Sequence, residues 1–130
     1  MQVISIIIGG IIGALLRYFV SLNVSKTVAG HFPWPTLTVN LVGSFFIGFL
    51  WAFFENSSAS AYVKSFVFVG FLGSFTTFST FSLDIFNLMR RNDYTAATLY
   101  WLLSTVLGVL FAGIGYFIAK KILKYLEMWW

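Results

Sequence analysis

Four apolar runs, each about as long as the hydrocarbon core of a bilayer requires, fill nearly the whole sequence and leave only short polar joints between them. Solvent decides the fold class of such a chain. In lipid every backbone N–H and C=O needs a partner from the protein, so each run is expected to be a helix. The runs extend over about 3–22, 35–54, 61–89 and 95–119, which predicts one all-α transmembrane domain over residues 1–130 with four helices and no room for a soluble domain. With 59% hydrophobic and 9% charged residues, too few polar groups exist to clothe a small globule in water. The first run lacks a basic leading region and a small-residue cleavage site and passes straight into Arg17-Tyr18, so it is read as a retained span.

Boundaries follow from the polar joints. Asn23 to Lys26 reads as a turn, and Pro33-Trp34-Pro35 opens the second span, because proline suits a helix start and not its interior. Glu55-Asn56-Ser57-Ser58 ends that span. The third run is longer than a bilayer needs, so a break or a tilt must absorb the excess. Arg90-Arg91-Asn92-Asp93 leads into the fourth, Lys120, Lys121 and Lys124 follow it, and Trp129 and Trp130 suit an interfacial tail.

Four crossings place both ends on one side of the membrane. Lys64, Lys120, Lys121 and Lys124 fall on that side, and Arg17, Lys26, Arg90 and Arg91 on the other, four against four. The cytoplasmic excess of Lys and Arg that normally sets orientation is missing. The expected consequence is insertion both ways round, with an antiparallel homodimer about an in-plane two-fold axis as the natural assembly. A weakly determined single topology fits the same tie.

Small residues recur every four positions on three runs: Gly9 and Gly13 with Arg17, Asn40 and Ser44 with Gly48, and Tyr100 and Ser104 with Gly108 and Ala112. Such stripes let helices approach closely where hydrophobicity offers no drive for association. Asn40, Tyr100 and Ser104 also carry donors well inside their spans, so they either glue helices or line a route for a polar solute. Arg17 either snorkels to the interface or concentrates anions at a mouth. No catalytic task falls to Asp84, and the single histidine, His31, reads as a solvated loop residue.

The segment Gly70-Phe71-Leu72-Gly73-Ser74-Phe75-Thr76-Thr77-Phe78-Ser79-Thr80-Phe81-Ser82 is the one a plain anchor would not contain. Each hydroxyl or bare glycine backbone in hydrocarbon needs an internal partner, so something polar passes or binds at this depth. Phe75, Phe78 and Phe81 are expected along one slowly drifting helical face, with Thr77, Thr80 and Asp84 on another. Aromatic residues at this spacing commonly serve core or lipid contact. Here hydroxyl donors are interleaved with rings whose edges are electropositive, a combination that favours a small anion. Unwinding near Gly70 to Thr76 would also free carbonyls for a hard monovalent cation, while the following helical half presents its N-terminal amides.

Gly70-Phe71-Leu72-Gly73 followed by Thr76-Thr77-Phe78-Ser79-Thr80-Phe81-Ser82 resembles the third-helix signature of the Fluc (CrcB-type) fluoride channels, and Thr38-Val39-Asn40-Leu41-Val42-Gly43 is similar to their second-helix motif. The resemblance covers essentially the whole chain. It implies an antiparallel dual-topology homodimer with a broken third helix, two fluoride pores, a central structural sodium ion and a bacterial plasma-membrane location. By position, Phe78 and Phe81 would present ring edges to fluoride, Asn40 would be a pore donor, and Tyr100 and Ser104 would border the route. Ser79 and Thr80 would add hydroxyls, Arg17 would attract the anion, and Gly73 and Thr76 would give backbone carbonyls to sodium. The family often has a second glycine where this chain has Ser74, which bears on the backbone around the cation.

The expected function is passive export of fluoride and resistance to it, in a protein that is not an enzyme. No nucleophile, base and orienting group recur at recognisable spacing. A small proton-coupled multidrug-type exporter would need a titratable acid in the substrate path, and Asp84 is the one membrane-region candidate. A non-transporting assembly factor would be indifferent to loss of the phenylalanine rings.

Overall fold

The computed structural model describes residues 1–127, and the tail expectation for Trp129 and Trp130 lies outside them. Four helices among the described residues are long and apolar enough to cross a membrane: Gln2–Thr27, Trp34–Phe54, Ala61–Arg90 and Tyr94–Leu126. We label Gln2–Thr27 α1 and Trp34–Phe54 α2. The third span carries α3 (61–75) and α4, Phe78–Arg90; the last is α5 (94–127).

Local chemistry explains most of the ends. Pro35 sits in the first turn of α2, where its missing N–H costs no helical bond. Asp93 caps α5 by accepting the Ala96 N–H at 3.1 Å. The tight joint before it uses Asn92 at φ 57°, a left-handed conformation that asparagine tolerates. Two ends differ from the sequence reading. The polar stretch from Asn23 continues α1 to Thr27, because Asn23, Ser25 and Thr27 turn their side chains back onto the carbonyls of Phe19, Ser21 and Asn23 at 2.8–3.0 Å. The last helix runs past Ala119 to Glu127, so Lys120, Lys121 and Lys124 lie on it instead of following it.

The third span departs further from expectation. Residues Ser65–Leu72 form a wide π-type turn, as do Leu103–Leu107 in α5. Helical geometry stops at Thr76 and Thr77, at the far end of the Gly70 to Thr76 stretch and not at its glycines, and resumes at Phe78. That step takes Phe75 off the face shared by Phe78 and Phe81. Phe75 is buried and stacked on Phe71 with ring centroids 6.2 Å apart, whereas Phe78 is 80% exposed.

Two glycine seams hold the helices together. A methyl group at Gly9 or Gly13 of α1 would strike the Phe66 or Phe71 carbonyl of α3. Gly48 of α2 lies against the Ala112 carbonyl of α5, and Gly115 against that of Phe45. Backbones this close gain dispersion contact where lipid offers no hydrophobic drive. Leu37, Leu88, Ala97 and Tyr100 form a small core near the non-terminal face, with Phe32 and Phe81 packed on it. Elsewhere large apolar side chains point outward, among them Val109 and Phe117, so lipid or another chain must cover them.

Candidate functional site

The site is organised around the two-residue step between α3 and α4. Thr76 (φ −79°, ψ 159°) and Thr77 (φ −147°, ψ 121°) are extended. The Asn40 amide of α2 clamps this step at both peptide groups: its Nδ2 donates to the Thr77 carbonyl at 3.0 Å, and its Oδ1 accepts the Thr77 N–H at 2.9 Å. One turn further along α2, Gly43 leaves room for the Thr76 methyl and the Phe75 ring, both of which a side chain there would hit. The Thr77 hydroxyl caps α4 by accepting the Thr80 N–H at 3.2 Å and donates to Thr80 Oγ1 at 3.1 Å.

These diversions release two carbonyls. An unbroken helix would bond the Thr77 N–H to Gly73 and the Thr80 N–H to Thr76, four residues back. Asn40 takes the first N–H and the Thr77 hydroxyl the second. The Gly73 and Thr76 oxygens are thereby free of their helical partners, and the two residues line an open groove of about 340 Å³.

Asn40, Ser44, Thr77, Phe78, Phe81 and Ser104 also line that groove. Asn40 has one amide N–H beyond the clamp, the only donor it has left to offer. Phe78 and Phe81 lie with ring centroids 5.7 Å apart, and Phe81 leans on Tyr100 at 5.3 Å. Ser104 lies in the π-type turn of α5, and its Oγ is buried without a hydrogen-bond partner. An orphaned buried hydroxyl costs free energy unless something supplies an acceptor.

A second cleft of about 220 Å³ lies on the α1 side of the step and is lined by Arg17, Tyr18, Ser21, Thr36, Thr77 and Thr80 among others. Thr77 therefore faces both spaces. Of the residues singled out from sequence, Phe78, Phe81, Asn40, Ser104, Gly73 and Thr76 come together at the groove, and Arg17 and Thr80 at the cleft. Ser79 lies exposed, 3.4 Å from the Thr77 hydroxyl, and lines neither. Tyr100 stands behind Phe81, fully buried, and donates to Asp84 Oδ2 at 3.3 Å. Sequence reasoning overlooked Ser21 and Thr36; each lies four residues from a residue it did select, Arg17 and Asn40, and so shares a helix face with it.

Comparison with known proteins is consistent across the chain. The family described as "CrcB-like protein, Camphor Resistance (CrcB)" matches residues 4–116. A protein of Parabacteroides distasonis named "Fluoride-specific ion channel FluC" is 40% identical over 126 residues, 97% of this chain and 98% of its own length. Proteins of the same name are 43% identical over 123 residues in Magnetococcus marinus, covering 94% of this chain and all of the relative, and 44% identical over 116 residues in Acinetobacter baylyi, covering 84% and 91%.

Proposed function

The chain belongs to the CrcB family, and from that membership we infer that it is a fluoride-selective ion channel, a multi-pass protein of a bacterial membrane that lets cytoplasmic fluoride leave passively. It is not an enzyme. The observation that carries the site assignment is the groove beside the step: the Phe78 and Phe81 rings line one space with Asn40, which has an amide N–H to spare, and Ser104, whose hydroxyl is buried without a partner. Together they can replace the hydration of a small, hard anion, which ring faces or carboxylates could not do. Arg17 in the neighbouring cleft raises the local anion concentration, and as a guanidinium it keeps its charge there.

The functional unit is an antiparallel homodimer. The balance of basic residues and the 80% exposure of Phe78 support this, since a ring meant to meet an anion in a dry path needs a second surface to close over it. The extended step at Thr76 and Thr77 is the break of the third helix, and it gives the site its second property. Gly73 and Thr76 would hold a structural sodium ion through the carbonyls that Asn40 and Thr77 strip of helical partners, and a two-fold mate would contribute the same pair. Hard carbonyl oxygens suit such an ion, whose charge offsets repulsion between nearby anions.

Fluoride that enters acid-bathed cells as neutral HF ionises inside and is trapped, so a leak selective for the ion needs no energy source beyond the membrane potential. Purified protein in liposomes loaded with potassium fluoride tests this. Efflux read by a fluoride electrode is expected without a proton gradient and without matching chloride loss. Equal release of chloride and fluoride refutes the selectivity, and efflux that requires a proton gradient makes the protein an exchanger instead.

A further inference from the structure

Tyr100 and Asp84 lead from the groove to a third, smaller space that the channel reading leaves unused. The joint before α2 folds His31 and Pro33 over the far end of α4, forming an open pocket of about 130 Å³ with Asp84, Asn87, Leu88 and Arg91, in which His31 and Arg91 are exposed. Packed side chains, with no open passage between them, join it to the groove. Phe81 packs on Tyr100 at 5.3 Å, Tyr100 hydrogen-bonds Asp84, and the other edge of Tyr100 meets Phe32, the neighbour of His31, at 5.6 Å.

The charged and titratable groups lining the cavity are Asp84 from α4, Arg91 from its C-terminal cap and His31 from the joint; from α5, Tyr100 faces Asp84. The Asp84 carboxylate and the Arg91 guanidinium cancel in formal charge. The imidazole therefore decides the sign: the cavity is neutral when His31 is neutral and carries one positive charge when it is protonated. Histidine is the side chain whose ordinary titration falls between about pH 5 and 8. A volume of about 130 Å³ corresponds to roughly four waters at about 30 Å³ each, enough for a partly hydrated small anion beside the Asn87 amide.

We propose that the His31–Asn87–Arg91 pocket is a docking site for fluoride on the non-terminal side of the membrane, and that it takes the anion when His31 is protonated. This rests on the channel reading and adds to it a site and a pH dependence. In the antiparallel dimer one copy of this pocket faces each side of the membrane, so acid outside the cell, the condition that drives HF inward, acts on the outward copy.

The chain has one histidine, so its imidazole gives a single titrating NMR signal in lipid nanodiscs. By linkage, fluoride that binds the protonated form tenfold more tightly raises the midpoint at saturation by about one pH unit. The expected result is a higher midpoint in sodium fluoride than in sodium gluconate at equal ionic strength, with the difference abolished in Arg91→Gln. An equal midpoint in the two salts overturns the proposal. Fluoride current across planar bilayers, to which neutral HF contributes nothing, supplies the second arm. Between about pH 8 and 6 the wild-type current is expected to rise, while His31→Gln conducts equally at both. If wild type and His31→Gln respond alike, the docking site falls and the channel stands; if wild type passes no fluoride at any pH, the channel reading itself falls.

Discussion

Asn40→Ala is the substitution that most directly tests how the site is built. The Asn40 side chain makes two hydrogen bonds to one residue, at 2.9 and 3.0 Å, at the only place in the third span where the helical ladder stops. Removing it leaves the Thr77 N–H and C=O without partners. Losing a bond while its partner stays buried costs about 1–3 kcal/mol, which puts two at about 2–6 kcal/mol. Hydrogen bonds measured inside membranes average nearer 0.6 kcal/mol, since the unfolded reference finds partners too, so the lower bound for the pair is about 1 kcal/mol. We expect a destabilisation of about 1–3 kcal/mol, toward the lower estimate because the site is only partly buried. The assay pairs thermal unfolding in detergent with liposomal fluoride efflux. Asn40→Asp separates the two roles: it keeps an acceptor for the Thr77 N–H, loses the donor and puts negative charge beside the groove. Its efflux should therefore fall further than its stability. Wild-type efflux and melting in Asn40→Ala would show that the step needs no brace from α2 and that the geometric argument is wrong.

Phe78→Ile and Phe81→Ile keep apolar bulk but remove the electropositive ring edges, so both should elute as wild type and lose fluoride efflux; preserved efflux removes the rings from the pathway. Gly48→Val should prevent folding or assembly, because its side chain meets the Ala112 carbonyl, while Gly113→Ala, with open space at the same atom, should leave the elution profile and melting unchanged. Indifference to both would mean that the α2–α5 seam is looser than its contacts. Glu55, beyond the end of α2, is paired with Lys120 and accepts from the Tyr116 hydroxyl at 3.1 Å. The Lys120 ammonium is the main reason its carboxyl is held below the ordinary value of 4.5, with the Tyr116 bond adding and partial desolvation opposing. A lowered folded-state value stabilises above the unfolded one and is lost as pH falls through it. The melting advantage of wild type over Glu55→Gln should thus be level above pH 4.5 and shrink below it, and an advantage that grows in acid refutes the pairing.

Much of the fold was legible because hydropathy is a one-dimensional property. Lipid forces any sufficiently long apolar run to pair its own backbone, so the four spans and the helical class follow from the order of residues alone. The small-residue stripes were legible for a related reason: spacing by four places residues on one face, and Gly9, Gly13 and Gly48 do meet a neighbouring backbone. Excess hydroxyls around Thr76 to Ser82 marked the depth of the site. Span ends were less legible, since whether Asn23, Ser25 and Thr27 stop a helix or bond back into it is decided by rotamers that composition does not encode.

The position of the step was decided in three dimensions. Gly70 and Gly73 looked like the flexible points, yet the helix passes through both and stops where Asn40, thirty-seven residues earlier in the chain, offers a matched donor and acceptor. From that contact follow the separation of Phe75 from Phe78, the release of the Gly73 and Thr76 carbonyls, and the meeting of Ser104 with the rings. The wide turns at Ser65–Leu72 and Leu103–Leu107 belong to the same class, since they change which face a residue presents without a signal in periodicity. Residue order thus determined that the chain crosses a membrane four times and carries buried polar chemistry in its third crossing. Only packing between crossings determined which polar groups are used up in bracing the backbone and which are left facing the groove, because a hydrogen bond between distant helices depends on where their surfaces meet.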